Sequence, residues 1–180
     1  MLNAVRALRS MGKDNARALL PAAVHKYLDD ERILAVAWYP EAEMLELNRA
    51  LAQLMRPTLH GATLEQTFVH MGRRVGEIDL TGIYAPLLRG GINFELMQRM
   101  TAGWRQYHDT GRLEASLLDG DRARFELSKF GLPSRELCWI QRGWFLSFVE
   151  RTTESPKVTV VETQCRTRGA QTCVWQATWT

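Results

Sequence analysis

Hydrophobic positions along the chain recur first at helical and then at strand spacing, and the period changes near Gly111. From Asp14 to about Asp29 the apolar residues repeat helically, with Asp14 placed to cap and Pro21 predicting a break. Glu41 to Met55 is the cleanest amphipathic segment. Met44, Leu45, Leu47, Leu51, Leu54 and Met55 cover one broad side, and Pro57 follows its end. A third helix is expected to run on from Thr63, whose hydroxyl can cap it. A fourth begins at Asn93, a good N-cap, and carries Phe94, Met97, Met100, Trp104 and Tyr107 along one stripe. Gly111 is expected to stop it.

Beyond Gly111, Leu113, Ala115 and Leu117 alternate with polar residues, Asp119–Gly120 supplies turn chemistry, and Ala123, Phe125 and Leu127 alternate again. This predicts a β-hairpin. A helix entered through Pro133 and Ser134 follows, with Leu137, Ile140, Trp144 and Phe148 on its inner side. A second hairpin is expected from Lys157–Thr167 and Gln171–Thr178, turning at Arg168–Gly169–Ala170. The prediction is an α+β fold: a helical layer on a small antiparallel sheet. It forms a single domain over 1–180, with 1–110 mainly helical and 111–180 hairpin–helix–hairpin. No internal repeat, low-complexity tract or linker interrupts it.

Composition narrows the classes. With 46% hydrophobic and 24% charged residues, the chain of 180 residues is an ordinary globular one. Its apolar runs are too short to span a bilayer, and its N-terminal stretch lacks a signal-type core, so a cytoplasmic location is expected. The net charge of +3 comes from scattered Lys and Arg with acidic neighbours, which argues against a nucleic-acid-binding face. Three cysteines, an odd number, fit a reducing compartment.

Those cysteines carry the main candidate chemistry. Glu162, Cys165 and Cys173 lie in "VVETQCRTRGAQTCVW", and Cys138 lies in "ELCWIQRGW". On the second hairpin Cys165 and Cys173 can face each other, and Cys138 falls in the first turn of the helix that crosses the sheet. Glu162 would need a bulge to aim the same way. Three thiolates and a carboxylate would make a closed soft-ligand site of the kind zinc favours. Two other readings stay open: three small buried hydrophobes beside a surface glutamate, and a Cys165–Cys173 disulfide.

The segments "CWIQRGWF" and "VETQCRTRGAQTCVW" resemble the C-terminal half of the 4-vinyl-reductase domain. The version most alike is that of the sensory domains of phenol- and xylene-responsive bacterial regulators. The resemblance covers about the last 45 residues: Cys-Trp, a Gly-aromatic pair at Gly143–Trp144, then Glu, Cys and Cys at matching spacing. It implies a structural Zn2+ held by Cys138, Glu162, Cys165 and Cys173, with a stabilising and not a chemical role. It also implies a homodimer. The Glu41–Met55 face and a short stripe of Leu2, Val5 and Leu8 are the expected contacts. The 4-vinyl-reductase fold is distantly similar to haem nitric-oxide-binding domains and to small subunits of the TRAPP tethering complex.

No Ser/His/Asp grouping, phosphate-cradling loop or HExxH helix is present, so no catalytic set is expected. "RGGIN" at Arg89–Asn93 reads as a turn. The haem signature Tyr-x-Ser-x-Arg has no match, and His70 and His108 read as ordinary helix residues. The aromatic and methionine stripe is either core or, as in the resembling sensors, the wall of a pocket for a small apolar or aromatic molecule. The lining residues would be Phe94, Met97, Met100, Trp104, Tyr107, His108, Trp144 and Phe148. The function expected is a cytoplasmic, non-catalytic ligand-binding or sensory module that signals through contact with another protein. The alternatives are a ligand-free interaction scaffold and, further off, a reductase-type enzyme.

Overall fold

A computed structural model describes residues 2–29, 33–34, 37–82, 84–88 and 90–180; the side chains of Leu2 and Leu87 lie outside that description. The fold is α+β, as the periodicities predicted, and its backbone forms two compact units, Met1–Phe68 and Val69–Thr180.

The first unit is helical. α1 (Leu2–Ser10), α2 (Lys13–Leu19), α3 (Lys26–Asp29) and α4 (Glu41–Met55) follow in order along the chain. Pro21 breaks the expected long helix into α2, a 3-10 turn at Ala22–Val24 and α3. Arg9 ties α1 to α3 by donating to the carbonyls of Leu28 (3.2 Å) and Tyr27 (2.8 Å). Val5 and Leu8 are fully buried, and Leu45, Leu47 and Leu51 of α4 are buried too. The chain itself consumes the Val5 and Leu8 part of the stripe expected to meet a second copy, and the Leu2 side chain lies outside the described residues. α5 (Leu64–Thr81) opens with a reciprocal cap. Gln66 N–H donates to Thr63 Oγ1 (3.2 Å), and Thr63 N–H donates to Gln66 Oε1 (2.8 Å).

The second unit carries the sheet. α6 (Phe94–Tyr107) starts where Asn93 Oδ1 accepts from Leu96 N–H at 2.9 Å. It ends before Gly111, because the chain leaves the helix at His108, in extended backbone. Gly90 and Gly91 both have positive φ and form the expected turn; Arg89 lies outside the described residues. β1 (Arg112–Asp119), β2 (Arg122–Ser128), β3 (Val158–Gln164) and β4 (Cys173–Trp179) form one antiparallel sheet in the order β1-β2-β4-β3. The two hairpins join through β2 and β4, with Phe125 opposite Trp175.

α7 (Arg135–Thr153), capped by Ser134 Oγ accepting from Leu137 N–H at 3.1 Å, lies on the sheet. Phe145 stacks on Phe125 at 4.3 Å between ring centres and meets Trp175 edge-on at 5.3 Å. Residues 69–81 of α5 press against α7 so closely that side chains are excluded at the crossing. A Cβ on Gly72 would stand 2.0 Å from the Ile140 carbonyl oxygen, and one on Gly143 2.0 Å from that of Val69. Ser147 Oγ donates to the Arg73 carbonyl (3.0 Å), and Arg73 pairs with Glu150 (2.7 Å) along the same crossing.

Candidate functional site

Two side-chain clusters in the second unit gather the chemistry. The first is the set of thiols. Cys138, in the first turn of α7, places its Sγ 3.7 Å from Cys165 Sγ and 3.6 Å from Cys173 Sγ. All three cysteines are free and buried, with their sulfurs within 4.8 Å of one another. The terminal hairpin brings this about locally. Cys165 follows β3, a 3-10 turn runs over Arg166–Arg168, and Gly169 takes the left-handed conformation (φ 90°) that reverses the chain. Arg135 donates to Cys165 Sγ (3.0 Å), and the Arg166 backbone N–H donates to Cys173 Sγ (3.4 Å). The hydrogen bond with Cys173 and burial push the Cys138 thiol up, whereas the bond from Cys138 pulls the Cys173 thiol down.

Glu162 stands beside the thiols, with its Oε1 buried and without a hydrogen-bond partner. The bulge it required is present, between Glu162 and Gln164, and its side chain is mostly buried. Its Oε2, however, accepts from Arg135 (2.6 Å) and Arg168 (3.1 Å). The close-set group of potential metal ligands comprises the three cysteines without it. Three sulfurs so placed are donors that a soft metal ion could use.

The second cluster is aromatic. Trp144 Nε1 donates to Asp79 Oδ2 at 3.1 Å, joining α7 to the last turn of α5. Tyr84, in the turn after α5, stands edge-on to Trp144 (6.5 Å) and to Tyr107 (5.7 Å), and Trp144 stacks on Phe148 (5.7 Å). Burial raises the Asp79 carboxyl above its ordinary value although the Trp144 bond opposes the shift. Burial likewise raises the Tyr84 hydroxyl, helped by its hydrogen bond with Tyr107. Tyr107 is 48% exposed, so the cluster reaches the surface.

The residues expected to line a pocket are therefore divided. Trp144, Phe148 and Tyr107 join Asp79 and Tyr84. Trp104 and His108 form a separate stack (3.9 Å, 15°) against Phe130, with Trp104 Nε1 donating to the Thr110 carbonyl (3.1 Å). Met97 is buried in the core, Met100 is half-buried, and Phe94 is 70% exposed. Asp79 and Tyr84 escaped sequence reasoning because "GEIDLTGIYAP" bears no motif. Their partner Trp144 lies 65 residues from Asp79.

No protein-family model matches the sequence, and no curated protein matches it. Solved structures do share the fold. An H-NOX protein from S. oneidensis in the Fe(II)NO ligation state is 14% identical, with TM-score 0.64, over 96% of this chain and 89% of that one. An oxygen-binding H-NOX domain related to soluble guanylate cyclases is 13% identical, with TM-score 0.64, over 98% and 91%. A domain studied for heme distortion in the H-NOX family is 15% identical, with TM-score 0.59, over 98% and 91%. At such identities the likeness is one of fold. It lies with the haem domains, which the sequence placed only as distant kin, and the 4-vinyl-reductase assignment is not shown.

These findings correct the expectation of zinc. Two of the domains named above are described with Fe(II) or heme, and what this chain shows in place of a zinc site is a cluster of three cysteines.

Proposed function

We propose that the chain is a non-catalytic, small-molecule-binding sensory module that passes its state to a protein partner. The observation that carries this reading is the aromatic cluster around Asp79. A half-buried carboxylate beside aromatic rings, one of them the exposed Tyr107, brings apolar surface together with one orienting polar group. The fold offers a precedent for holding a small guest, since the solved domains include an oxygen complex and an NO-ligated form. For a partner, Leu34 (58% exposed) and Trp38 (61%) present large apolar side chains to solvent.

Haem itself does not fit these residues. His25 Nε2 is engaged with the carbonyls of Arg17 (3.1 Å) and Leu20 (2.9 Å). His60 is exposed in a left-handed turn, His70 is half-buried on α5, and His108 lies flat on Trp104. The Tyr-x-Ser-x-Arg signature is unmatched. Arg135, at the start of α7, is held by Glu162 and Cys165.

Cys138, Cys165 and Cys173, with Glu162 and Arg135 beside them, take a structural role in this reading. They clasp the start of α7 to the terminal hairpin. The test of the ligand function pairs native mass spectrometry of the purified chain with thermal shift against a panel of small aromatics. A retained mass or a stabilising compound is expected, lost in Trp144→Phe and kept in Trp104→Phe. No retained mass and no stabilising compound would overturn it and leave a ligand-free interaction scaffold.

A further inference from the structure

Three free thiols in one buried cluster are a reactive set as well as a clasp. Cys138 Sγ stands 3.7 Å from Cys165 Sγ and 3.6 Å from Cys173 Sγ, so it is the sulfur that both hairpin cysteines share. Each hairpin sulfur accepts a hydrogen bond from nitrogen, Cys165 from Arg135 (3.0 Å) and Cys173 from the Arg166 backbone N–H (3.4 Å). Such donors steady negative charge on a sulfur as it attacks an oxidant. The Thr167 hydroxyl lies 3.0 Å from Cys165 Sγ, and Thr167, Arg168 and Gly169 are exposed, so a solvated turn sits next to the cluster. We propose that the cluster is a peroxide-operated switch in which Cys138 forms a disulfide with one of the two hairpin cysteines.

The oxidant is hydrogen peroxide. A hairpin sulfur attacks one peroxide oxygen, the O–O bond breaks, and the other oxygen leaves as water with the thiol's proton. The sulfur is then a sulfenic acid. Cys138 Sγ attacks that sulfur, the S–O bond breaks, and the hydroxyl leaves as a second water with the Cys138 proton. The two sulfurs give up two electrons and the peroxide takes both, so no other co-reactant enters. Size selects the oxidant: the three cysteines are at most 5% exposed, which favours a water-sized neutral molecule over a bulky thiol reagent. The new bond ties the first turn of α7 to the terminal hairpin, across 35 residues for Cys173 or 27 for Cys165. Closing a loop of that size stabilises the fold. A Cys165–Cys173 bond would lie within the hairpin and tie nothing to α7. The switch goes beyond the ligand reading and needs no guest at the aromatic cluster.

The test treats the reduced chain with a molar excess of hydrogen peroxide in the presence of a chelator. Remaining thiols are then blocked in denaturant and the bonds mapped by peptide mass spectrometry. One disulfide within each chain is expected, joining Cys138 to Cys173 or Cys165 and leaving one thiol of the three. The melting temperature should rise by several degrees on oxidation and return with a thiol reductant. Cys138→Ser should lose that rise, and peroxide should carry one of its hairpin cysteines on to the sulfinic acid. Three unmodified thiols in wild type, a Cys165–Cys173 bond, or bonds only between chains would overturn the proposal. A Cys138 bond that leaves the melting temperature unchanged would overturn it too, since nothing would have switched. The wild-type map and melting curve decide the matter even where Cys138→Ser fails to fold.

Discussion

Replacing Gly143 by alanine tests the helix crossing that places Trp144 against Asp79. The new Cβ would lie 2.0 Å from the Val69 carbonyl oxygen and 2.8 Å from the Arg73 nitrogen, both backbone atoms that cannot rotate away. Ordinary contact requires a retreat of about 1.4 Å, so the helices themselves must part. Overpacking of this kind costs about 3 kcal/mol. Alanine's better helix propensity returns about 1 kcal/mol. The net loss of about 2 kcal/mol lowers the melting temperature by roughly 4–8 °C in a chain of this size. Gly103 in α6 is the control: a Cβ there meets nothing within 4 Å, so Gly103→Ala should raise the melting temperature by a few degrees. Scanning calorimetry reads both, and near-ultraviolet circular dichroism reports the Trp144 environment, which Gly143→Ala should alter. Equal melting temperatures for Gly143→Ala and wild type, with an unchanged aromatic spectrum, would refute the close crossing.

Two more outcomes follow from the clusters. Cys173→Ser should lower the melting temperature and expose Cys138 and Cys165 to a thiol reagent that the folded wild type resists; equal labelling of both proteins would count against the clasp. For Asp79, the carboxyl is raised in the folded state, so the fold binds its proton more tightly than the unfolded chain does. Its contribution to stability is full below the ordinary value of 3.8 and is lost as pH rises through the folded value. The stability of wild type relative to Asp79→Asn should therefore fall as pH is raised through the acid range, followed by urea denaturation. A flat or rising difference would contradict the burial of that group.

Much of the local structure was written in the sequence, because its causes lie within a few residues. The bounds of α4, the break at Pro21, the caps at Thr63, Asn93 and Ser134, and both hairpins depend on periodicity, short side-chain bonds and turn chemistry. The meeting of Cys138 with Cys165 and Cys173 was also legible, since a helix joining two hairpins must cross their sheet. What tertiary structure alone decided are the choices among distant partners. Glu162 could reach sulfur or guanidinium, and the approach of Arg135 and Arg168 turned its Oε2 to the latter. The stripe on α6 could line one pocket, yet its helix sends Trp104 and His108 to Phe130 and Tyr107 to Tyr84. Nothing in the sequence singled out Asp79. Only the glycine-permitted crossing of α5 and α7 brings the Trp144 indole onto it, and no local pattern records a contact made across 65 residues of chain.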